Sequence, residues 1–280
     1  MGKYTLFCAG LRRIWGQNWA KNDNSPLVCA VAWEKYVILQ PKSRPMKQQH
    51  LVVLTGAGMS AESGFSTFRD KGGLWETHPV EQVATPAGWA ADPVRVNNFY
   101  NGLRRQLVEA QPNAGHLALA DMEADYAVSI VTQNVDDLHE RAGSTRVVHL
   151  HGELLKACSS AAPNDAAQIV DLRTRQLDIL PTDRAADGSA LRPFIVWFGE
   201  AVPRIDEAAA LVQSADILVI IGTSLEVYPA AGLLRHCRPE VPIFLIDPND
   251  VRTPGKRAVQ HIRQVASKGV ETLREQLNNL

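Results

Sequence analysis

One local feature limits what this chain can fold into more than any other. Leu51-Val52-Val53-Leu54 is an unbroken apolar run that leads straight into Gly56-Ala57-Gly58-Met59-Ser60-Ala61-Glu62. A run with no polar face reads as a strand buried on both sides of a parallel sheet. The two glycines then let the backbone turn tightly into a helix and approach a ligand closely. Taken alone the motif is weak, because Ala61 stands where a third glycine would complete the dinucleotide fingerprint. A simple strand-to-helix turn is an equally good account of it.

The pattern recurs along the chain. Ala127 to Val131, Asp216 to Ile221 and Ile243 to Ile246 read as further strands, with helical stretches at 113–123 and 204–213 between them. Strands alternating with helices imply an α/β fold with a doubly wound, Rossmann-like parallel sheet and ligands at the carboxyl ends of its strands. The tail, 259–280, is amphipathic and reads as helix. Two stretches break the alternation: 71–110 looks helical with loops, and 156–192 is rich in Ala, Asp and Arg with little apolar material. Together they suggest a smaller module inserted beside the sheet. Residues 1–45 carry Lys3, Arg12, Arg13 and Lys21 before the first acid, Asp23, and read as an extension ahead of a catalytic domain spanning 46–280. A transit peptide is disfavoured there, since Ser25 is the lone serine of the first 40 residues.

Bulk properties exclude several classes. A formal net charge of −1 with both signs interspersed gives no reason to expect nucleic acid or an acidic membrane as partner. No apolar run reaches the roughly 20 residues that a membrane-spanning helix needs. Cys8, Cys29, Cys158 and Cys237 are scattered, with no C-x-x-C pair, so a reducing, cytoplasmic setting is expected rather than a disulfide framework.

Polar groups gather where the strands end. Thr132-Gln133-Asn134-Val135-Asp136 follows one strand, Gly222-Thr223-Ser224 another, and Asp247 a third. Each residue could be a helix cap by itself. Clusters converging on one rim with Gly56 and Gly58 favour a dinucleotide site instead.

These segments, with Thr67-Phe68-Arg69, His149-Leu150-His151-Gly152-Glu153 and Phe198-Gly199-Glu200, closely resemble the sirtuin family over about residues 48–275. The likeness is nearest to bacterial, class III-like members. It implies an NAD-dependent protein-lysine deacylase that yields nicotinamide, free lysine and O-acyl-ADP-ribose. By that likeness Gly56, Ala57 and Gly58 hold the pyrophosphate, Phe68 and Arg69 sit on a loop closing over NAD, and Gln133, Asn134 and Asp136 line the ribose and nicotinamide pocket. Gly222, Thr223 and Ser224 serve the adenosine side. Asp247 stands where the family usually has asparagine, and a carboxylate can still accept from a ribose hydroxyl. His151 becomes the general base, since imidazole exchanges protons near neutral pH. His149, two positions earlier, would share a face with it in a regular strand, so spacing alone does not separate the two. His151 is preferred because Gly152 follows it, as in the family motif. Phe198, Gly199 and Glu200 on one side, and Val227 and Tyr228 on the other, resemble the segments that hold an acyl-lysine protein or peptide by strand addition. Val196-Trp197-Phe198 also reads as a buried strand.

The chain departs from the family twice. Most sirtuins hold a structural zinc with two C-x-x-C pairs, but Cys158 is followed by Ser159-Ser160-Ala161, and Asp183 to Ala190 contains no cysteine. One thiolate cannot build a tetrahedral site, so no metal is expected. Desuccinylating members carry Tyr-x-x-Arg, whereas Tyr100-Asn101-Gly102-Leu103 puts leucine at the arginine position. Arg104 is turned about 100° from Leu103 on a helix. Neutral acyl groups are therefore expected, with Ala84 on the pocket floor beside Tyr100 and Leu103. Competing readings are an NAD glycohydrolase or ADP-ribosyltransferase, and a degenerate NAD sensor without turnover. The peptide-binding segments weigh against the former, and the retained His151 and Asn134 against the latter. A dehydrogenase fits least.

Overall fold

The computed structural model describes residues 48–64, 78–253 and 257–278. Residues 1–47 and the segment with Phe68 and Arg69 lie outside the described residues. The continuous apolar runs become strands β1 (His50–Thr55), β2 (Ala127–Thr132), β7 (Ile217–Ile221) and β8 (Ile243–Ile246). Short β3 (Val147–His149) and β9 (Gln260–Ile262) extend the sheet to the order β3-β2-β1-β7-β8-β9, parallel throughout. The winding reverses between β1 and β7, so the crevice at the switch point opens beyond Thr55 and Ile221.

Alternation along each strand feeds two cores. Val52, Leu54, Leu218 and Ile220 face one side, where α7 (Ile205–Ser214) adds Ala208, Leu211 and Val212. Leu51, Val53, Val219 and Ile221 face the other, covered by Leu119 of α5 (Ala114–Asp121) and by Val270 and Leu273 of α8 (Ala266–Leu277). The C-terminal stretch is thus not all helix. Its first residues pair with β8, because Ile262 completes the sheet-bound core before α8 begins.

The smaller module has two parts. After the short α1 (Ala57–Ser60) of the glycine turn come α2 (Val80–Val83), α3 (Pro86–Ala91) and α4 (Pro93–Glu109), of which α3 and α4 start at side-chain caps: Thr85 accepts from Gly88 N at 2.9 Å and Asp92 from Arg95 N at 2.9 Å, each followed by proline. They pack on an antiparallel sheet of β4 (Gly152–Ser159), β5 (Val170–Asp171) and β6 (Leu191–Ile195), in the order β5-β4-β6. The low apolar content of 156–192 concealed these strands, yet Ala157, Leu172, Ile179, Ala185 and Leu191 gather into a small core of their own. Ser159 ties the loops together: its hydroxyl donates to Asp187 at 2.6 Å and accepts from the amides of Ala161 and Ala162 at 3.0 and 2.9 Å. Strand β6 stops at Ile195, so Val196-Trp197-Phe198 is not a strand. Arg192 stacks over Trp197 and turns the chain there.

Two buried histidines join α5 to α6 (Leu138–Ala142). His116 closes the capping box of α5 with Asn113 and meets the His139 ring edge-on at 4.8 Å. Burial pushes His116 down to about 4 and holds His139 well below the ordinary imidazole value. Both rings are therefore neutral in the folded chain and charged in the unfolded one at mildly acidic pH. Depressed folded values give stability that is complete above 6.5 and lost as pH falls toward the folded values. We expect a loss of about 2 kcal/mol from His116 between pH 7 and pH 5, with His139 acting in the same direction. Urea denaturation at the two pH values checks this, and His116→Gln should flatten the slope. Equal slopes in both proteins would remove His116 from the account.

Candidate active site

The two glycine turns interlock backbone to backbone. Gly56 N donates to Ile221 O at 3.0 Å and Gly58 N to Gly222 O at 2.9 Å. A Cβ on Gly56 would stand 2.7 Å from both Gly222 O and Thr223 Cβ, and one on Gly58 would stand 2.6 Å from Gly222 Cα. The glycines are thus required for the ends of β1 and β7 to meet. Gly222 also has φ +61°, a left-handed conformation that glycine adopts without penalty.

Along the rim the predicted polar residues do converge. Gln133 N donates to Thr55 O at 2.9 Å, and its side-chain amide reaches Thr223 Oγ1 at 3.0 Å, joining the ends of β1, β2 and β7. Asn134 is buried, and its amide nitrogen donates to Gly56 O and to Ser60 Oγ, both at 3.0 Å. The Ser60 hydroxyl in turn donates a hydrogen bond to Asp136 Oδ2 at 2.9 Å. Asp136 is also buried and accepts from Leu138 N at 3.2 Å. Burial raises the Asp136 pKa, against the hydrogen bonds from Ser60 and Leu138. Asp136 therefore braces Asn134 through Ser60 rather than facing open crevice. Ser60 was missed in the sequence, although it sits two residues after Gly58.

The remaining rim residues differ in availability. Ala57 is partly exposed and Ser224 exposed, whereas Thr223 is buried. Asp247 follows β8 beside Gly222, whose amide donates to Ile246 O at 3.0 Å. One Asp247 carboxylate oxygen accepts from Asn249 N at 2.8 Å, so part of its acceptor capacity serves its own turn.

The two histidines are separated by structure where spacing could not separate them. His149 ends β3 with its ring buried. His151 lies past the strand, partly exposed, with Nδ1 at 3.0 Å from Gln133 O. A carbonyl only accepts, so the proton sits on Nδ1 and Nε2 carries a free lone pair. Burial lowers the His151 pKa, partly offset by that hydrogen bond, so the ring is neutral at neutral pH. Gly152 explains its place beside His151: φ is +86°, and a Cβ there would collide with Phe194 O.

Beyond His151 lies the helical module. Phe198 N donates to Ala84 O at 3.0 Å, tying the segment after Trp197 to the end of α2. Ala84, Tyr100 and Leu103 are buried in one cluster with Trp197. Burial drives the Tyr100 phenol well above its ordinary value. Arg104 is fully buried too, its Nη1 on Leu154 O at 3.3 Å and its Nη2 on Asn101. Phe198 and Tyr228 are exposed at 45% and 61%, with Gly199 open and Val227 half-buried, as docking surfaces would be. Glu200 is otherwise engaged: its oxygens accept from Arg192 at 2.7 and 3.0 Å and from Trp197 N at 2.8 Å. It holds the segment rather than offering a free carboxylate.

Comparison with known proteins bears on this arrangement. Residues 56–229 match the Sir2 family. The chain is 57% identical over 229 residues to an NAD-dependent protein deacylase of Bacteroides thetaiotaomicron, covering 82% of this chain and 98% of that one. It is 51% identical to an NAD-dependent protein deacylase of Helicobacter pylori over 82% of this chain and 97% of that one. Among solved structures, a Sir2 homolog–NAD complex superposes with a TM-score of 0.72 at 36% identity, covering 83% of this chain and 90% of that chain. Interlocked glycine turns, the braced Asn134 and a base-form His151 on one rim are accounted for together: this chain belongs to the Sir2 family.

Proposed function

We propose that the protein is an NAD-dependent protein-lysine deacylase in which His151 is the general base and Asn134 the residue ordering the ribose and nicotinamide end of the pocket. The observation that carries this reading is the His151 ring, neutral, partly exposed and protonated on Nδ1 beside Gln133. NAD suits the crevice because the glycine turns after β1 and β7 meet backbone to backbone at the switch point of the sheet, where a doubly wound fold binds a dinucleotide, with Gly58 and Gly222 partly exposed there. When bound, NAD supplies an electrophilic ribose carbon with nicotinamide as leaving group, and hydroxyls that take the acyl group. The chain contributes a fixed amide from Asn134, a proton acceptor at His151 Nε2, and the exposed residues Phe198, Gly199 and Tyr228 with half-buried Val227 to flank an extended acyl-lysine peptide. Gly56, Ala57, Gly58, Gly222, Thr223 and Ser224 hold the dinucleotide in this reading. Phe68 and Arg69 are proposed to cover it, and Asp247 to accept from a ribose hydroxyl.

The proposal extends to zinc and compartment. Cys158 is the lone cysteine of 152–195; its thiol donates to Pro193 O at 3.7 Å and burial pushes it up to about 12. A neutral thiol is a poor metal ligand. The apolar cluster and the Ser159 hydrogen bonds do the work of holding the small module. Cys158 and Cys237 are buried free thiols, in keeping with a reducing cytoplasm. Among the described residues no helix is long and apolar enough to cross a membrane.

Acyl choice follows from the pocket. Leu103 offers no charge, and Arg104 is enclosed with its two terminal nitrogens on Leu154 and Asn101. A succinyl carboxylate entering there would be buried without a partner, which costs several kcal/mol. We therefore expect acetyl-peptide turnover to exceed succinyl-peptide turnover by at least tenfold in kcat/KM. Mass spectrometry of products from acetyl-, succinyl- and myristoyl-lysine peptides with NAD measures this. A faster succinyl reaction would refute the pocket assignment, and NAD cleavage without acylated ADP-ribose would point to a glycohydrolase.

A further inference from the structure

His149 is the odd member of the site. It is 6% exposed, it ends β3, and the chemistry assigned to His151 does not use it. Its two ring nitrogens face two groups that can only accept: Nδ1 lies 3.1 Å from the Asn134 carbonyl, and Nε2 lies 2.8 Å from a carboxylate oxygen of Glu140 on α6. A neutral imidazole has one proton and can satisfy one of them. Only imidazolium satisfies both. His151, by contrast, faces a single acceptor and keeps a lone pair. The two rings thus hang from consecutive carbonyls, Gln133 and Asn134, in opposite charge states.

Building on the reading of Asn134 and His151 as the working pair, we propose that Glu140 and His149 form a charged positioning pair. It clamps the Gln133–Asn134 backbone and thereby sets the Asn134 amide and the His151 ring toward NAD. The clamp is needed because this segment lies in a loop between β2 and α6, without sheet partners of its own beyond the Gln133 amide on Thr55. Asn134 is held at its side chain by Gly56 and Ser60 and at its amide by Thr132 Oγ1 at 3.0 Å. His149 holds the backbone carbonyl.

The charged groups around the ring agree with a cation there. Glu140 on α6 and Glu153 on β4 favour the charged ring, as does Asp136 nearby, while His139 on α6, held neutral by burial, sets no positive charge against it; Lys156 on β4 lies toward Glu140 and pairs with Glu153 at 2.7 Å. Burial alone would lower the His149 pKa, but the hydrogen bond and charge of Glu140 outweigh it and the net direction is up.

The test uses the full chain labelled with 15N-histidine. At pH 7.5 the wild-type His149 should show two protonated ring nitrogens, whereas His151 shows a proton on Nδ1 only. In Glu140→Gln the neighbour is no longer anionic, so His149 should lose its second proton below pH 7. The same variant should raise the KM for NAD about fivefold while the KM for acetyl-peptide stays within twofold. A general loss of packing would move both KM values or neither. A wild-type His149 that is neutral at pH 7, or a Glu140→Gln protein with unchanged NAD KM, overturns the proposal. If Glu140→Gln does not fold, the wild-type spectrum and the less disruptive Glu140→Asp, expected to keep the imidazolium and most NAD affinity, decide it. Full deacylation by His151→Ala would defeat the underlying site reading while leaving the imidazolium result standing, so the two failures are distinguishable.

Discussion

Replacement of His151 by alanine is expected to lower deacylation about 10³-fold while NAD binding changes less than threefold. The magnitude follows from the usual contribution of a positioned general base, 10²–10⁴-fold. The selectivity follows from geometry. The His151 ring hangs from Gln133 O, whereas the glycine peptides of the two turns bond to one another. Product analysis by mass spectrometry should show O-acyl-ADP-ribose falling with free lysine, and calorimetric titration with NAD should remain near wild type. The pH profile gives an independent reading. Burial lowers the His151 pKa below its ordinary 6.5, so the base form persists as pH falls past 6.5 and activity declines only as pH drops through the lowered value. An acid limb centred above 6.5, or a His151→Ala enzyme retaining more than a tenth of wild-type kcat, would remove this histidine from the chemistry.

The second large effect is expected from Gly222→Ala. An alanine Cβ there would lie 2.5 Å from Gly58 C and 2.6 Å from Gly58 Cα, and nearer still to Met59 N, at a backbone φ of +61°. All of those atoms are backbone, so no side chain can swing away. Overpacking of this kind costs about 1–3 kcal/mol, with about 1 kcal/mol more for the left-handed conformation. Relief requires the ends of β1 and β7 to part by about 1 Å, a misplacement that can cost on the order of 10²-fold. We expect NAD affinity to fall by at least that factor while circular dichroism still reports a folded α/β protein. Gly188→Ala is the control, since its φ is +82° but nothing lies within 4 Å of its Cβ position. Wild-type NAD affinity in Gly222→Ala would mean the dinucleotide does not lie on these peptides.

Much of the architecture was legible in the chain. Runs such as Leu51–Leu54 and Ile217–Ile221 are apolar at every position, which only a doubly covered strand tolerates, and each ends in glycine or a hydrogen-bonding cluster. Less was legible in the small module. Ala157, Leu172, Ile179, Ala185 and Leu191 are too dispersed to show a period, and they meet only because β4 and β6 pair across more than thirty residues. The β9 strand was hidden for a related reason: Gln260-His261-Ile262 is too short to signal by itself and is fixed by pairing with β8.

Local composition by itself determined the sheet, the glycine turns and the identity of the residues along its rim, because strand burial and backbone freedom are properties of neighbouring positions. Which partners those residues meet was decided in three dimensions. Whether a histidine is a base or a cation depends on how many acceptors face its ring, and Gln133, Asn134 and Glu140 reach His151 and His149 only through folding. Likewise the oxygens of Asp136 are claimed by Ser60 from 76 residues away, and those of Glu200 by Arg192 across the turn that follows β6. Hydrogen-bond partners are set by distances between segments, and a linear chain does not contain those distances.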